Sequence, residues 1–190
     1  MSLDCILLGL LRQPTNGYAL KHWFERVFHH FWAAEPSQIY RTLARLEDSG
    51  LASVSVEPSS KGPPQRIYEI TDTGRSALHA WLLAGPSMSD TRQSQLAQVL
   101  FLSELDHAAR GRFLDQLELE YESLLNELQE VAKSVPDGGD PSKPCDDEEF
   151  FRRLTLDAGK EQYLSWIRWI DRVRSLHQAR VSRQDSEYSE

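Results

Sequence analysis

Apolar residues recur at helical spacing from the start of the chain: Leu3, Ile6, Leu7, Leu10 and Leu11 predict a short helix over 2–12. Gln13-Pro14-Thr15-Asn16-Gly17 breaks it, with Thr15 or Asn16 placed to cap a second helix. Leu20, Phe24 and Val27/Phe28 share one face of that helix, from Tyr18 to about Phe28. His29–Glu35 is an aromatic-rich loop. Pro36, tolerated in a first helical turn, opens a third helix to Ser49, and Gly50 stops it. After Gly50 the period falls from 3.6 to 2. Leu51, Val54 and Val56 alternate with polar residues, and Ile67-Tyr68-Glu69-Ile70 makes a second strand. The turn chemistry of Pro58–Gln65 joins the two strands into a hairpin with a long tip. Thr71 caps a fourth helix through Leu83, which Gly85-Pro86 ends. Three helices, two strands and a helix in that order predict a winged helix–turn–helix over residues 1–84.

The remainder reads differently. Residues 94–106 carry a helical pattern through Leu96, Val99, Leu100 and Leu102/Leu105. From Ala108 to Lys133 the apolar positions Leu114, Leu117, Tyr121, Leu124, Leu128 and Val131 step alternately by three and four, a coiled-coil seam. Residues 134–146, rich in Pro and Gly, read as a flexible loop. A last helix runs from Asp147 to about Arg180 with Phe150, Leu154, Tyr163, Trp166/Ile167, Ile170, Val173 and Leu176 as its stripe, and 181–190 is a polar tail. The fold class expected is mainly α: an N-terminal winged helix–turn–helix and, over 85–180, a long-helix dimerisation domain. The seam suits either packing within one chain or a two-fold contact. Two helices this long exceed what one small domain needs, which favours the dimer. Its interface is then expected at Leu114, Leu117, Tyr121, Leu124, Leu128, Val131, Tyr163, Trp166, Ile170 and Val173.

Composition changes the picture in one respect. The net charge of −8 argues against a nucleic-acid partner until the chain is divided. Residues 1–83 hold 8 Lys/Arg and 8 Asp/Glu, whereas the remainder holds 13 and 21, so the acidic excess lies wholly in the second half. On a helical wheel the third helix gathers Ile39, Leu43 and Leu46 on one side and Ser37, Gln38, Arg41 and Arg45 on the other, with Thr42 nearby. Arginine pairs bidentately with guanine and glutamine with adenine, so Gln38, Arg41, Thr42 and Arg45 are candidates for reading bases in the major groove. The tip Lys61-Gly62-Pro63-Pro64-Gln65-Arg66 is stiff and cationic at both ends, suited to backbone or minor-groove contact. Tyr18, Lys21, Ser37 and Tyr40 are candidates for phosphate contact.

Gly17-Tyr18-Ala19-Leu20, the run from Pro36 through Tyr40-Arg41-Thr42-Leu43 to Gly50-Leu51, and Gly62-Pro63-Pro64-Gln65-Arg66-Ile67-Tyr68-Glu69-Ile70-Thr71-Asp72-Thr73-Gly74 together resemble the PadR family of transcriptional regulators over residues 3–83. Arg41 stands where that family often has proline. The second half is similar, more loosely, to the virulence-activator-type helical domain of its longer members. The resemblance implies repression of nearby genes, a dimer formed through the long C-terminal helices, and release by a small aromatic or drug-like effector. Two joined winged helices would read half-sites about one DNA turn, roughly 34 Å, apart. Trp166 and Trp169, a turn apart, would wall an effector pocket or belong to an interface core.

Other chemistries find little support. Cys5 and Cys145 have no disulfide or metal spacing, His29-His30 has no third ligand nearby in sequence, and no nucleophile motif or phosphate loop occurs. No enzyme activity and no cofactor are expected. The Asp146–Glu149 run favours a helix N-terminus electrostatically. No apolar run approaches the ~20 residues of a membrane span, and the acidic flank at the start does not read as a secretory signal, so a cytoplasmic protein is expected. A protein-interaction scaffold built on a winged helix and coiled coil is the alternative; the acidic total favours it, and Arg41 with Arg45 opposes it.

Overall fold

A computed structural model describes residues 2–30, 32, 34–58, 64–86 and 93–187 and divides the chain into two compact units, 1–90 and 91–190. In the first unit, α1 (Ser2–Leu10), α2 (Gly17–Arg26), α3 (Pro36–Asp48) and α4 (Asp72–Leu83) accompany the strands β1 (Thr15–Asn16), β2 (Ala52–Glu57) and β3 (Gln65–Ile70). Leu7, Leu8, Leu11, Leu20, Phe24, Ile39, Leu43 and Leu46 form its core, against which Tyr68, Ile70 and Leu78 close the sheet and α4. Cys5 lies in this core, and burial with Asp4 alongside raises its thiol pKa, which suits a packing role rather than a reactive one.

The sheet is antiparallel in the order β1-β3-β2. The hairpin register runs from Ala52 opposite Ile70 to Glu57 opposite Gln65. The third strand falls within the segment read as a break. Thr15 pairs with Tyr68 and Asn16 with Ile67, a partnership fixed by residues some fifty positions away and therefore invisible to local periodicity. Asn16 also caps α2, its Oδ1 accepting from the Ala19 N–H at 2.8 Å, while its Nδ2 donates to Gln65 Oε1 at 2.9 Å. At the far end of the wing, Thr71 Oγ1 accepts from the Gly74 N–H and donates to the Gly50 carbonyl, tying α4 to the end of α3. Gly74 is required there: a Cβ would collide with the Leu51 carbonyl oxygen. Gly50 supplies the left-handed turn, φ 70°, that stops α3.

The second unit contains α5 (Ser94–Leu100), α6 (His107–Lys133) and α7 (Asp147–Glu187). The single helix expected over 94–106 is instead α5 followed by a 3-10 turn, Leu102–Glu104. Asp106 takes the N-cap of α6, accepting from the Ala109 N–H at 2.7 Å, and so restarts the helix at His107. Arg110 Nε and Nη2 hold the turn by donating to the carbonyls of Leu102 and Ser103 at 2.9 and 3.0 Å. The last helix continues past Arg180 to Glu187.

The coiled-coil seam is used within the chain. Leu114, Tyr121, Leu125 and Leu128 of α6 bury themselves against Leu156, Tyr163 and Ile170 of α7, with Leu117, Leu124, Val131, Trp166 and Val173 half-buried around them. Of the positions expected at a two-fold interface, Leu114, Tyr121, Leu128, Tyr163 and Ile170 are thus buried within one protomer, while Leu117, Leu124, Val131, Trp166 and Val173 are only partly covered by it. Arg174 reinforces the pair by donating to Glu118 at 2.6 Å and Asp115 at 3.1 Å across the helices. The α7 stripe begins on Arg153 and Leu156, whereas Phe150 and Leu154, expected to be part of it, are exposed. Only 1% of Arg153 is exposed; its Nε donates to Glu149 at 3.0 Å and its Nη1 to the Asp140 carbonyl at 2.9 Å. The 134–146 stretch, expected as a flexible loop, is organised around this guanidinium through the left-handed turn Asp137-Gly138-Gly139. Among the described residues, no helix is long and apolar enough to cross a membrane.

Candidate nucleic-acid interface

α3 is held by one face. Ile39, Leu43 and Leu46 are at most 1% exposed, which anchors the helix through i, i+4, i+7 spacing. Its first turn is fixed by Pro36 and by the Glu35 N–H, which donates to Gln38 Oε1 at 3.2 Å. Ser37, Gln38, Tyr40, Arg41, Ala44 and Arg45 face outward and are exposed.

Thr42 does not join them. At 4% exposure it completes the i, i+3, i+4, i+7 set with Ile39, Leu43 and Leu46, and its hydroxyl lies 3.4 Å from Arg45 Nη2. The wheel placed it beside the polar face; the buried arc is wider than the three aliphatic residues define, and Thr42 fills its edge. It is withdrawn as a base reader.

The remaining cations are largely partnered. Arg45 pairs with Asp4 of α1, and Arg66 of β3 donates to Glu47 of α3 at 2.5 Å while lying 5.6 Å from the Tyr68 ring centroid. Lys21 sits 3.4 Å from Glu25, one turn along α2. Arg41 donates through Nε to the Ser37 carbonyl at 3.3 Å and has no carboxylate partner among the described residues. The balance of acids and bases in this half is thus realised as specific pairs, and Asp4 and Glu47 are the partners that sequence reasoning missed. Nothing local brings Glu47 to a residue 19 positions on, or Asp4 to one 41 positions on.

Tyr18 is 67% exposed and leans on His22, with ring centroids 5.4 Å apart. Tyr40, 47% exposed, closes over Gly17, where a Cβ would meet its ring at 2.6 Å. These two tyrosines with Tyr68, Arg66, Gln65 and Asn16 line a mainly apolar groove of about 330 Å³ beside the outward face of α3. Pro64, Gln65 and Arg66 are exposed at the start of β3; Lys61, Gly62 and Pro63 lie outside the described residues. Trp166 and Trp169 belong to the other unit. Trp166 stacks on Tyr121 at 5.4 Å and meets Trp169 edge-on at 5.5 Å, both half-buried against the α6–α7 core. That arrangement matches the interface-core alternative in kind, but the core lies within the chain.

A helix–turn–helix whose third helix is anchored by one face and turns the other to solvent, followed by a two-stranded wing, is the architecture of winged-helix regulators. The chain belongs to the PadR-like family of transcriptional regulators: residues 6–80 match that family, and residues 91–178 match the virulence activator alpha C-terminal domain. It is 30% identical over 178 residues to a probable transcriptional regulator of Mycobacterium tuberculosis, covering 88% of this chain and 93% of the relative. It is 26% identical over 177 residues to the negative transcriptional regulator PadR of Bacillus subtilis, covering 92% and 96%. The crystal structure of that PadR with operator DNA superposes with a TM-score of 0.80 at 23% identity, covering 92% of this chain and 97% of that one. Its structure with p-coumaric acid gives 0.73 at 24% identity, covering 93% and 95%. The family is one of regulators and is not an enzyme class.

Proposed function

We propose that the chain is a sequence-specific DNA-binding repressor that works as a cytoplasmic homodimer, without catalysis, and is released by a small effector. The carrying observation is α3, where a row of Gln38, Arg41 and Arg45 is exposed opposite a row of fully buried aliphatic residues. In this reading those three side chains meet base edges. Ser37, Tyr40, Tyr18, Lys21 and Arg66, with the wing tip from Lys61 to Gln65, hold the phosphate backbone and the minor groove. Bacillus subtilis PadR, solved with operator DNA and with p-coumaric acid, supports an operator and a small effector as partners. The homodimer uses apolar residues left exposed in the second unit, including Leu100 at the end of α5, Phe101 beyond it, and Phe150 and Phe151 on α7.

Selection of bound duplexes from random DNA tests the whole reading. The expected result is an enriched palindrome with half-site centres roughly 34 Å apart, whose affinity falls steeply with salt as counterions are retained. An unenriched pool would overturn it in favour of a scaffold that does not touch DNA.

A further inference from the structure

In the DNA-bound state read above, α3 enters the major groove and the wing reaches the minor groove. The two grooves of a duplex are separated by a sugar–phosphate strand, so one strand must cross the protein between α3 and β3. The groove of about 330 Å³ lies on that path, lined by Tyr40 of α3, Arg66 and Tyr68 of β3, and Gly17 and Tyr18 at the start of α2.

Its lining is mainly aromatic ring. Gly17 lets the Tyr40 ring lie against the start of α2, because a Cβ there would come within 2.6 Å of it. The polar side chains nearby are already engaged: Asn16 holds the Ala19 N–H and Gln65, and Arg66 holds Glu47. The hydroxyls of Tyr18 and Tyr40 have no hydrogen-bond partner among the described residues. α2 has no acidic residue in its first turn, so the positive end of its dipole is left uncancelled beside the groove. Donors and a positive field thus flank an apolar hollow. A phosphate alone has no use for such a hollow, whereas a phosphate–deoxyribose–phosphate unit matches it in sequence, as anion, apolar ring and anion. The volume, at the small end of ligand sites, suits one sugar.

We propose that this groove seats one deoxyribose of the bound strand in each half-site, its flanking phosphates met by the Tyr18 and Tyr40 hydroxyls and the start of α2, and that the three tyrosine rings thereby select deoxyribose over ribose. This seat rests on the DNA-binding reading above and adds the sugar to the bases and phosphates as a recognised part. A ribose brings a 2′-hydroxyl, which the ring-lined hollow would strip of water without returning a hydrogen bond.

Fluorescence anisotropy with the full chain tests it. In a duplex recovered by the operator selection, a single ribonucleotide is placed at each position of one strand in turn. One position per half-site, between the bases under α3 and those under the wing, is expected to lose affinity about tenfold, and the others less than about twofold. At that position Tyr40→Phe should keep the deoxyribose-to-ribose ratio even as overall affinity falls with the lost hydroxyl. Tyr40→Ala, which opens the hollow to water, should bring the ratio close to unity. Tyr18→Ala removes a ring 67% exposed, so it keeps the fold and should lower the ratio to about threefold; circular dichroism checks Tyr40→Ala. Tight binding with a flat scan, or a ratio that survives both alanine variants, would overturn the seat and leave the DNA-binding reading standing. Failure of every duplex to bind would overturn both.

Discussion

Arg45 is the sharpest test of how α3 meets DNA, because in the free protein its guanidinium is already engaged by Asp4. The pair is partly solvated, with side-chain exposures of 60% for Arg45 and 21% for Asp4, so its contribution lies at the ~0–1 kcal/mol of surface ion pairs. A bidentate arginine–guanine contact is worth ~1–3 kcal/mol of discrimination. Exchange of Asp4 for a base edge is therefore favourable overall, and two perturbations should move in opposite directions. Arg45→Ala should lower the ratio of selected-site to scrambled-site affinity by about 5- to 150-fold. Asp4→Asn, by releasing Arg45, should raise that ratio by up to about fivefold. In an Arg45→Ala background, Asp4→Asn should leave the ratio unchanged. Asp4→Asn also weakens general repulsion from DNA, but that affects both duplexes alike and cancels in the ratio. Fluorescence anisotropy with labelled selected and scrambled duplexes, each at two salt concentrations, reads all of these quantities. Equal loss on both duplexes after Arg45→Ala, with a salt slope shallower by about 0.9, would make Arg45 a phosphate contact and refute base reading. An unchanged effect of Asp4→Asn without Arg45 would refute the competition.

Thr42→Val keeps the shape of a buried residue whose hydroxyl faces Arg45, so the selected-to-scrambled ratio should stay within about twofold; a large drop in the same assay would restore Thr42 as a reader. Gly74→Ala drives a Cβ into the Leu51 carbonyl, and urea denaturation followed by circular dichroism should show a loss of about 3 kcal/mol or more, an unchanged midpoint contradicting the packing described. Burial, with His107 and Arg110 beside it, lowers the His177 pKa and favours its uncharged form. The folded chain then binds fewer protons than the unfolded chain just below the ordinary histidine value of 6.5, so this contribution to stability is present above that range and lost on acidification. Melting temperatures between pH 7 and 5 should therefore fall more steeply for the natural chain than for His177→Gln; parallel profiles would contradict this.

Much of this architecture was legible because it is local. The i, i+3, i+4 spacing of Ile39, Leu43 and Leu46, the caps at Asn16 and Thr71, and the stop at Gly50 depend on residues within a turn of one another. What escaped depends on distant partners. β1 exists only through Tyr68 and Ile67, Arg45 finds Asp4 on α1, and Arg153 is buried because Asp140 and Glu149 close around it. A heptad stripe states that a helix needs an apolar neighbour without saying whose chain supplies it, which is why the α6 seam suggested a second subunit. The candidate site was legible in its exposed face, less so in Thr42, whose hydroxyl outweighed its position on the wheel.

That internal pairing of α6 with α7 has a consequence for the proposed dimer. Each copy brings a core of its own, so dilution should give folded single subunits rather than unravelled chains, and heat stability should depend on protein concentration only in the range where the dimer forms. Below the self-association constant, operator occupancy would then rise with roughly the square of the amount of protein present, so that modest changes in expression would switch a target gene sharply.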